Sequence, residues 1–182
     1  MALNFDSRIS AFEQLGLWLE HFLKEVENNR FTDDFNSEFQ AIIERQSREN
    51  GWFTQYNIYS SLAAIRDNLQ AESLNNLRFV YGNRIATSWQ EKIVAVVTGA
   101  FFPLVSFYDF MVVLLTGNVL QIKLHADDKL LLPKIAQKLM EIEPDFSEKI
   151  QFVDQLHDFE RVIITEENGH SEVLCQYFSK YS

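Results

Sequence analysis

The sequence predicts an α/β protein in which an N-terminal helical segment, residues 1–90, is followed over 91–182 by a mostly parallel sheet with flanking helices, the two packed as one unit. Three observations carry this reading. Apolar residues recur at helical spacing from Ser7 to Ser88. Ile93-Val94-Ala95-Val96-Val97 is then a continuous apolar, β-branched run, the kind that parallel sheets cover on both faces. From there, short strand-like runs alternate with helical stretches, the pattern of right-handed βαβ units.

In chain order, Phe12, Leu15, Leu19, Phe22, Leu23 and Val26 form the face of a first helix. Thr32-Asp33-Asp34 starts a second, with Phe35, Phe39, Ile42 and Ile43 as its stripe, and Asn50-Gly51 stops it. Thr54 caps a third helix carrying Ile58, Leu62, Ile65 and Leu69. A short fourth helix spans Leu74 to Val80 and stops at Tyr81-Gly82-Asn83. After the Ile93–Val97 strand, Pro103 opens a helix to Thr116, closed by Gly117-Asn118. Val119–Leu124 is the next strand, and Asp127 or Asp128 opens a helix to Glu141, with Pro133 in its first turns as either start or kink. Ile150–Val153 and Arg161–Ile164 are short strands, and Ser171 to Lys180 a last helix.

Composition narrows the function without naming it. Sixteen Lys and Arg against twenty-six Asp and Glu give a formal net charge of −10, which argues against sequence-independent binding to nucleic acid or anionic lipid. A single cysteine, Cys175, excludes a disulfide framework and a multi-cysteine metal site. Within the apolar region from Ile93 to Ile122 the longest uncharged stretches, Ile93–Tyr108 and Phe110–Ile122, fall short of the roughly 18–20 residues of a membrane span. The start, Met1 to Asp6, lacks the basic cluster and apolar run of a secretory signal, so a cytoplasmic protein is expected.

Open parallel sheets collect ligands at the carboxyl ends of their strands, beside helix N-termini. Here those ends are Thr98-Gly99, Lys123-Leu124-His125 and Thr165-Glu166-Glu167-Asn168-Gly169. No GxGxxG fingerprint and no phosphate-binding P-loop occurs. His21, His157 and His170 show no metal-ligand spacing. His21 lies close to the stripe of the first helix and reads as structural, while His170 beside Glu166 and Glu167 is the one candidate for a pH-sensitive pair.

The order of these pieces resembles the aldehyde dehydrogenase superfamily, in its fatty-acyl-CoA reductase branch of the bioluminescence type. The residues that carry the resemblance are Gly51-Trp52-Phe53-Thr54, Phe102 to Phe110, Leu114-Leu115-Thr116-Gly117-Asn118, Ile122-Lys123-Leu124, Asp128 to Pro133, Ile142-Glu143-Pro144, and Tyr177 to Tyr181. The resemblance implies a Rossmann-like cofactor domain that takes NAD or NADP. It covers only the cofactor side of such enzymes, whose catalytic cysteine lies in a further domain. By the same resemblance, Lys123 matches a strand-end lysine that hydrogen-bonds the adenosine ribose, and His125 stands near that ribose, placed to stack on adenine or to cap a helix at Asp127-Asp128.

Three departures oppose a working redox site. Cys175 does not stand in the family's nucleophile motif and reads as a small buried helix residue. Phe101 replaces an asparagine whose amide helps to hold an oxyanion, a loss worth about 10²–10³ in rate. Glu166-Glu167 replaces Gly-Ser at the turn where the pyrophosphate docks, although two acids also suit a helix start. Two expectations follow. In one, the chain is a truncated or degenerate acyl-CoA reductase-like domain, catalytically silent alone, with no cofactor bound. In the other, Gly99, Lys123, His125, Thr165, Glu166 and Glu167 form the NAD(P) site of an enzyme that reduces fatty acyl-CoA to aldehyde with a cysteine from elsewhere. Sixteen phenylalanines further suggest an apolar face for a second copy or a missing catalytic domain.

Overall fold

The computed structural model describes residues 3–87, 90–99, 102–126 and 128–165. Four helices come first. Helix α1, Phe5–Glu27, is capped by the Asn4 side chain, which accepts from the Ser7 N–H at 2.8 Å. Its expected stripe is buried, with Phe12, Leu15, Leu19 and Phe22 fully enclosed. Helix α2, Asp34–Glu49, is capped by Asp33, and α3, Gln55–Asn68, by Thr54, both as their cap residues predict. Gly16 marks the closest approach of α1 to the end of α3: a Cβ there would lie 2.8 Å from Leu69 Cβ.

Helix α4, Ala71–Thr87, overruns its expected stop at Tyr81-Gly82-Asn83. A mid-helix glycine costs only about 1 kcal/mol, too little to end a helix whose neighbours still pair. Little of α4 is enclosed: Leu74 is buried, while Phe79 is 90 % exposed.

A buried acid holds the junction of α1 and α2. Glu25 accepts from the Thr32 N–H at 2.9 Å, from the Thr32 hydroxyl and from Asn36 Nδ2 at 2.6 Å. Burial pushes its carboxyl up, but the hydrogen bonds from Thr32 and Asn36 outweigh that and hold it below the usual range. His21, itself largely exposed, adds its Nε2 at 3.2 Å from Glu25.

Strands β1 (Ile93–Thr98), β2 (Val119–Lys123), β3 (Ile150–Phe152) and β4 (Arg161–Thr165) form one sheet in the order β3-β2-β1-β4. Every pairing is parallel, so the expected α/β class with a parallel sheet is what forms. Helix α5, Phe107–Leu115, links β1 to β2, and α6, Leu131–Ile142, leads from β2 through a short 3-10 turn, Pro144–Glu148, to β3. Val94, Val96, Leu120 and Ile122 face the same core as these helices and α1.

On the other face Ala95 stands opposite Gln121, and both are fully buried. Gln121 is the polar anchor of that face. Its Oε1 accepts from the His157 N–H at 2.7 Å, and its Nε2 reaches Gln151 Oε1 at 3.3 Å. The segment it holds, 153–160, returns the chain from β3 to β4 on the far side of β1. Strand addition therefore reverses at β1, which creates a topological switch point between β1 and β4.

Both sheet-flanking helices begin later than their sequence signals suggest. Pro103 lies buried in a turn ahead of α5, and Leu104 in that turn adopts φ +59°. Asp128 does not cap α6, which starts at Leu131 behind Leu130, a residue without a capping side chain. Pro133 is the third residue of α6, where its missing N–H has no helical partner to lose, so it belongs to the start and makes no kink.

One continuous cluster of buried side chains runs through both halves of the chain. Trp18, Phe22 and Phe39 pack with ring centroids 4.9–6.0 Å apart, spacing at which aromatic pairs attract. Lys134 and Lys138 of α6 each place Nζ 4.0 Å from the Phe35 ring, and Lys134 also meets Glu38 at 2.7 Å. These cation–π and ionic contacts tie α2 to the sheet-flanking layer.

Candidate functional site

Parallel strands bring four of the residues singled out above to one edge. Thr98 at the end of β1 is in register with Thr165 at the end of β4, and Val97 with Lys123 at the end of β2. Gly99 follows Thr98 directly, and Lys123 is exposed. The His125 N–H donates to Thr98 Oγ1 at 2.8 Å, which pins the turn after β2 onto the end of β1. The Thr165 hydroxyl donates to Asp109 Oδ2 from the first turn of α5. Both threonines at the switch point are thus already engaged within the chain.

The strongest electrostatic feature of this edge is Asp128. It is 5 % exposed, and its Oδ2 accepts from the Leu104 N–H at 3.3 Å. Its Oδ1 is buried with no partner among the described residues. Burial raises its pKa from 3.8 to about 6, with the Leu104 N–H and the nearby His125 pulling the other way. A carboxylate here fastens the strained turn before α5 at Leu104 to the loop before α6. It offers no donor to an incoming phosphate.

Beside Lys123, a cleft of about 260 Å³ opens between the ends of β2 and β3 and the start of α6. Ile122, Leu124, Pro133 and Phe152 form its apolar walls, and Lys129 and Asp154 its polar rim. It is smaller than the roughly 300–1,000 Å³ of most small-molecule sites. Among the described residues no group of His, Cys, Asp and Glu is arranged to hold a metal ion, and no helix is long and apolar enough to cross a membrane.

Glu166 and Glu167, together with Phe101, Asp127, His170, Cys175 and the helix expected over Ser171–Lys180, lie outside the described residues. Of the residues the sequence singled out, Gly99, Lys123, His125 and Thr165 share the carboxyl edge with Thr98. Asp109 and Asp128 were missed as members of this edge. An acid in the first turn of a helix, as at Asp109, is the one local signal that could have marked either. Comparison with known protein families, with curated proteins and with solved structures finds no match.

Proposed function

We propose that this chain is a degenerate cofactor-side domain of the acyl-CoA reductase, aldehyde dehydrogenase-like kind, which works as a binding domain and catalyses no reaction alone. The observation that carries the reading is the strand order β3-β2-β1-β4 with a switch point whose rim is acidic. Such an edge suits a nucleotide when its turns offer N–H groups and small residues. Here Asp109 and Asp128 line it, and the sequence adds Glu166 and Glu167 immediately after β4. At about 4 Å and an effective dielectric near 20, one like-charge contact with a diphosphate costs on the order of 4 kcal/mol. Two such contacts offset the whole of a micromolar affinity, about −8 kcal/mol.

Lys123 favours the second reading, an NAD(P)-binding portion served by a cysteine from another segment, since its ammonium stands exposed at the end of β2. A titration with NAD⁺, NADH, NADP⁺ and NADPH, read by thermal shift, separates the two. The degenerate domain shows no shift at millimolar cofactor, and a saturable shift abolished by Lys123→Ala overturns it. In the double variant Glu166→Gly, Glu167→Ser, recovered binding identifies those acids as the obstacle. Exposed Trp52, Tyr56 and Phe79 support association with a second copy or a catalytic half, which sedimentation across a concentration series would register as a mass above 21.3 kDa.

A further inference from the structure

The opposite, amino edge of the sheet holds a buried cation with no use in the reading above. Arg8 on α1 is only 4 % exposed and lies under the turn Gly117-Asn118 that leads into β2. Its Nη1 donates to the Leu3 carbonyl at 2.7 Å, and its Cζ stands 5.9 Å from the Phe5 ring centroid. Its Nε is buried with no partner, and no carboxylate pairs with the guanidinium among the described residues. Glu91, an acid at this edge, is held by Lys149.

Gly117 explains how the guanidinium fits. Its φ is +82°, and a Cβ built on it would lie 2.5 Å from Arg8 Nη1. The missing side chain leaves the space that the cation fills. Beside it lies a partly enclosed cavity of about 30 Å³, whose charged lining is Arg8, Lys149 and Glu91, with Leu114, Asn118 and Phe146 among its other walls. About 10–15 Å³ suffices for a water molecule, so the space admits a monatomic ion and is far too small for a phosphate ester. The Asn118 amide is already committed, accepting from the Lys92 N–H at 3.1 Å and donating to Thr116 Oγ1 at 2.9 Å. With Glu91 and Lys149 cancelling, the lining carries a net positive charge from Arg8 alone.

An arginine cannot discharge itself by losing a proton at any ordinary pH. A water in the cavity leaves the charge uncompensated, whereas an anion beside the guanidinium compensates it. We propose that this cavity is a binding site for a small monovalent inorganic anion of chloride size, held by Arg8 at the amino edge of the sheet.

The test compares melting temperatures in sodium chloride and in sodium gluconate at equal ionic strength, since gluconate is too large to enter. Chloride at ten times its Kd raises the midpoint by about 3–5 °C for a chain of this size, and the rise saturates. Arg8→Met removes the chloride dependence. Equal midpoints in the two salts, or an undiminished chloride effect in Arg8→Met, overturn the site. Because Arg8→Met risks failing to fold, crystals of the unaltered protein soaked in bromide provide an independent reading. An anomalous peak in the cavity beside the Arg8 guanidinium supports the proposal, and a cavity holding water alone refutes it.

Discussion

The two edges of the sheet each bury one uncompensated charge, and they handle it in opposite ways. At the carboxyl edge Asp128 can take up a proton, and burial pushes its pKa up to about 6 so that it does so readily. At the amino edge Arg8 has no such escape, and it must be answered by an anion or carried at a cost. The acid can therefore leave Oδ1 without a partner and still fasten a turn through Oδ2, because its neutral form costs little. The base needs space beside it, and Gly117 supplies that space. The edge expected to receive an anionic cofactor is the one rimmed with acids, while the edge remote from it carries the buried cation.

The largest expected effect that sharpens this contrast is at Asp128. Its folded pKa lies above its ordinary value of 3.8, so its stabilisation is full below about pH 4 and is lost as pH rises through about 6. The shift corresponds to roughly 3 kcal/mol. Asp128→Asn keeps an acceptor for the Leu104 N–H and removes the charge. Urea unfolding of the variant and the parent should show the variant gaining about that amount relative to the parent between pH 4 and pH 8. A difference that does not change with pH would break the contrast.

Gly117→Ala comes next. A non-glycine residue at positive φ costs about 1–2 kcal/mol, and the new Cβ must also displace the guanidinium. A loss of about 2 kcal/mol by urea unfolding is expected, together with loss of any chloride dependence. Retained chloride dependence would separate the glycine from the arginine it makes room for. The smallest effect is at Lys123, where substitution by Ala in an exposed strand end should change stability by less than about 0.5 kcal/mol. A larger loss there would mean that the carboxyl edge relies on its cation as heavily as the amino edge does.

Much of the architecture was legible. The stripe of α1, the caps at Asp33 and Thr54 and the β-branched run of β1 each state their structure locally, because helix capping and burial periodicity are short-range effects. Arg8 was missed, although 8, 12, 15, 19 and 22 fall on one helix face and the position was there to be read. What spacing could not say is whether that side chain reaches water or stays inside. Asp109 was hidden because its partner, Thr165, lies 56 residues away. Asp128 carried a misleading signal: an acid before a helical pattern reads as a cap, yet here a buried N–H at Leu104 claims it first.

By itself the sequence determined the helical first half, the parallel class of the sheet and the carboxyl edge that gathers Thr98, Gly99, Lys123, His125 and Thr165. These follow from periodicity and from the way parallel strands end together. Only the tertiary structure decided the reversal of strand order at β1, the fate of Asp128 and the burial of Arg8. Each of those depends on which distant backbone group or helix face arrives beside the side chain, and desolvation of a charge is set by that arrival and by nothing local in the chain.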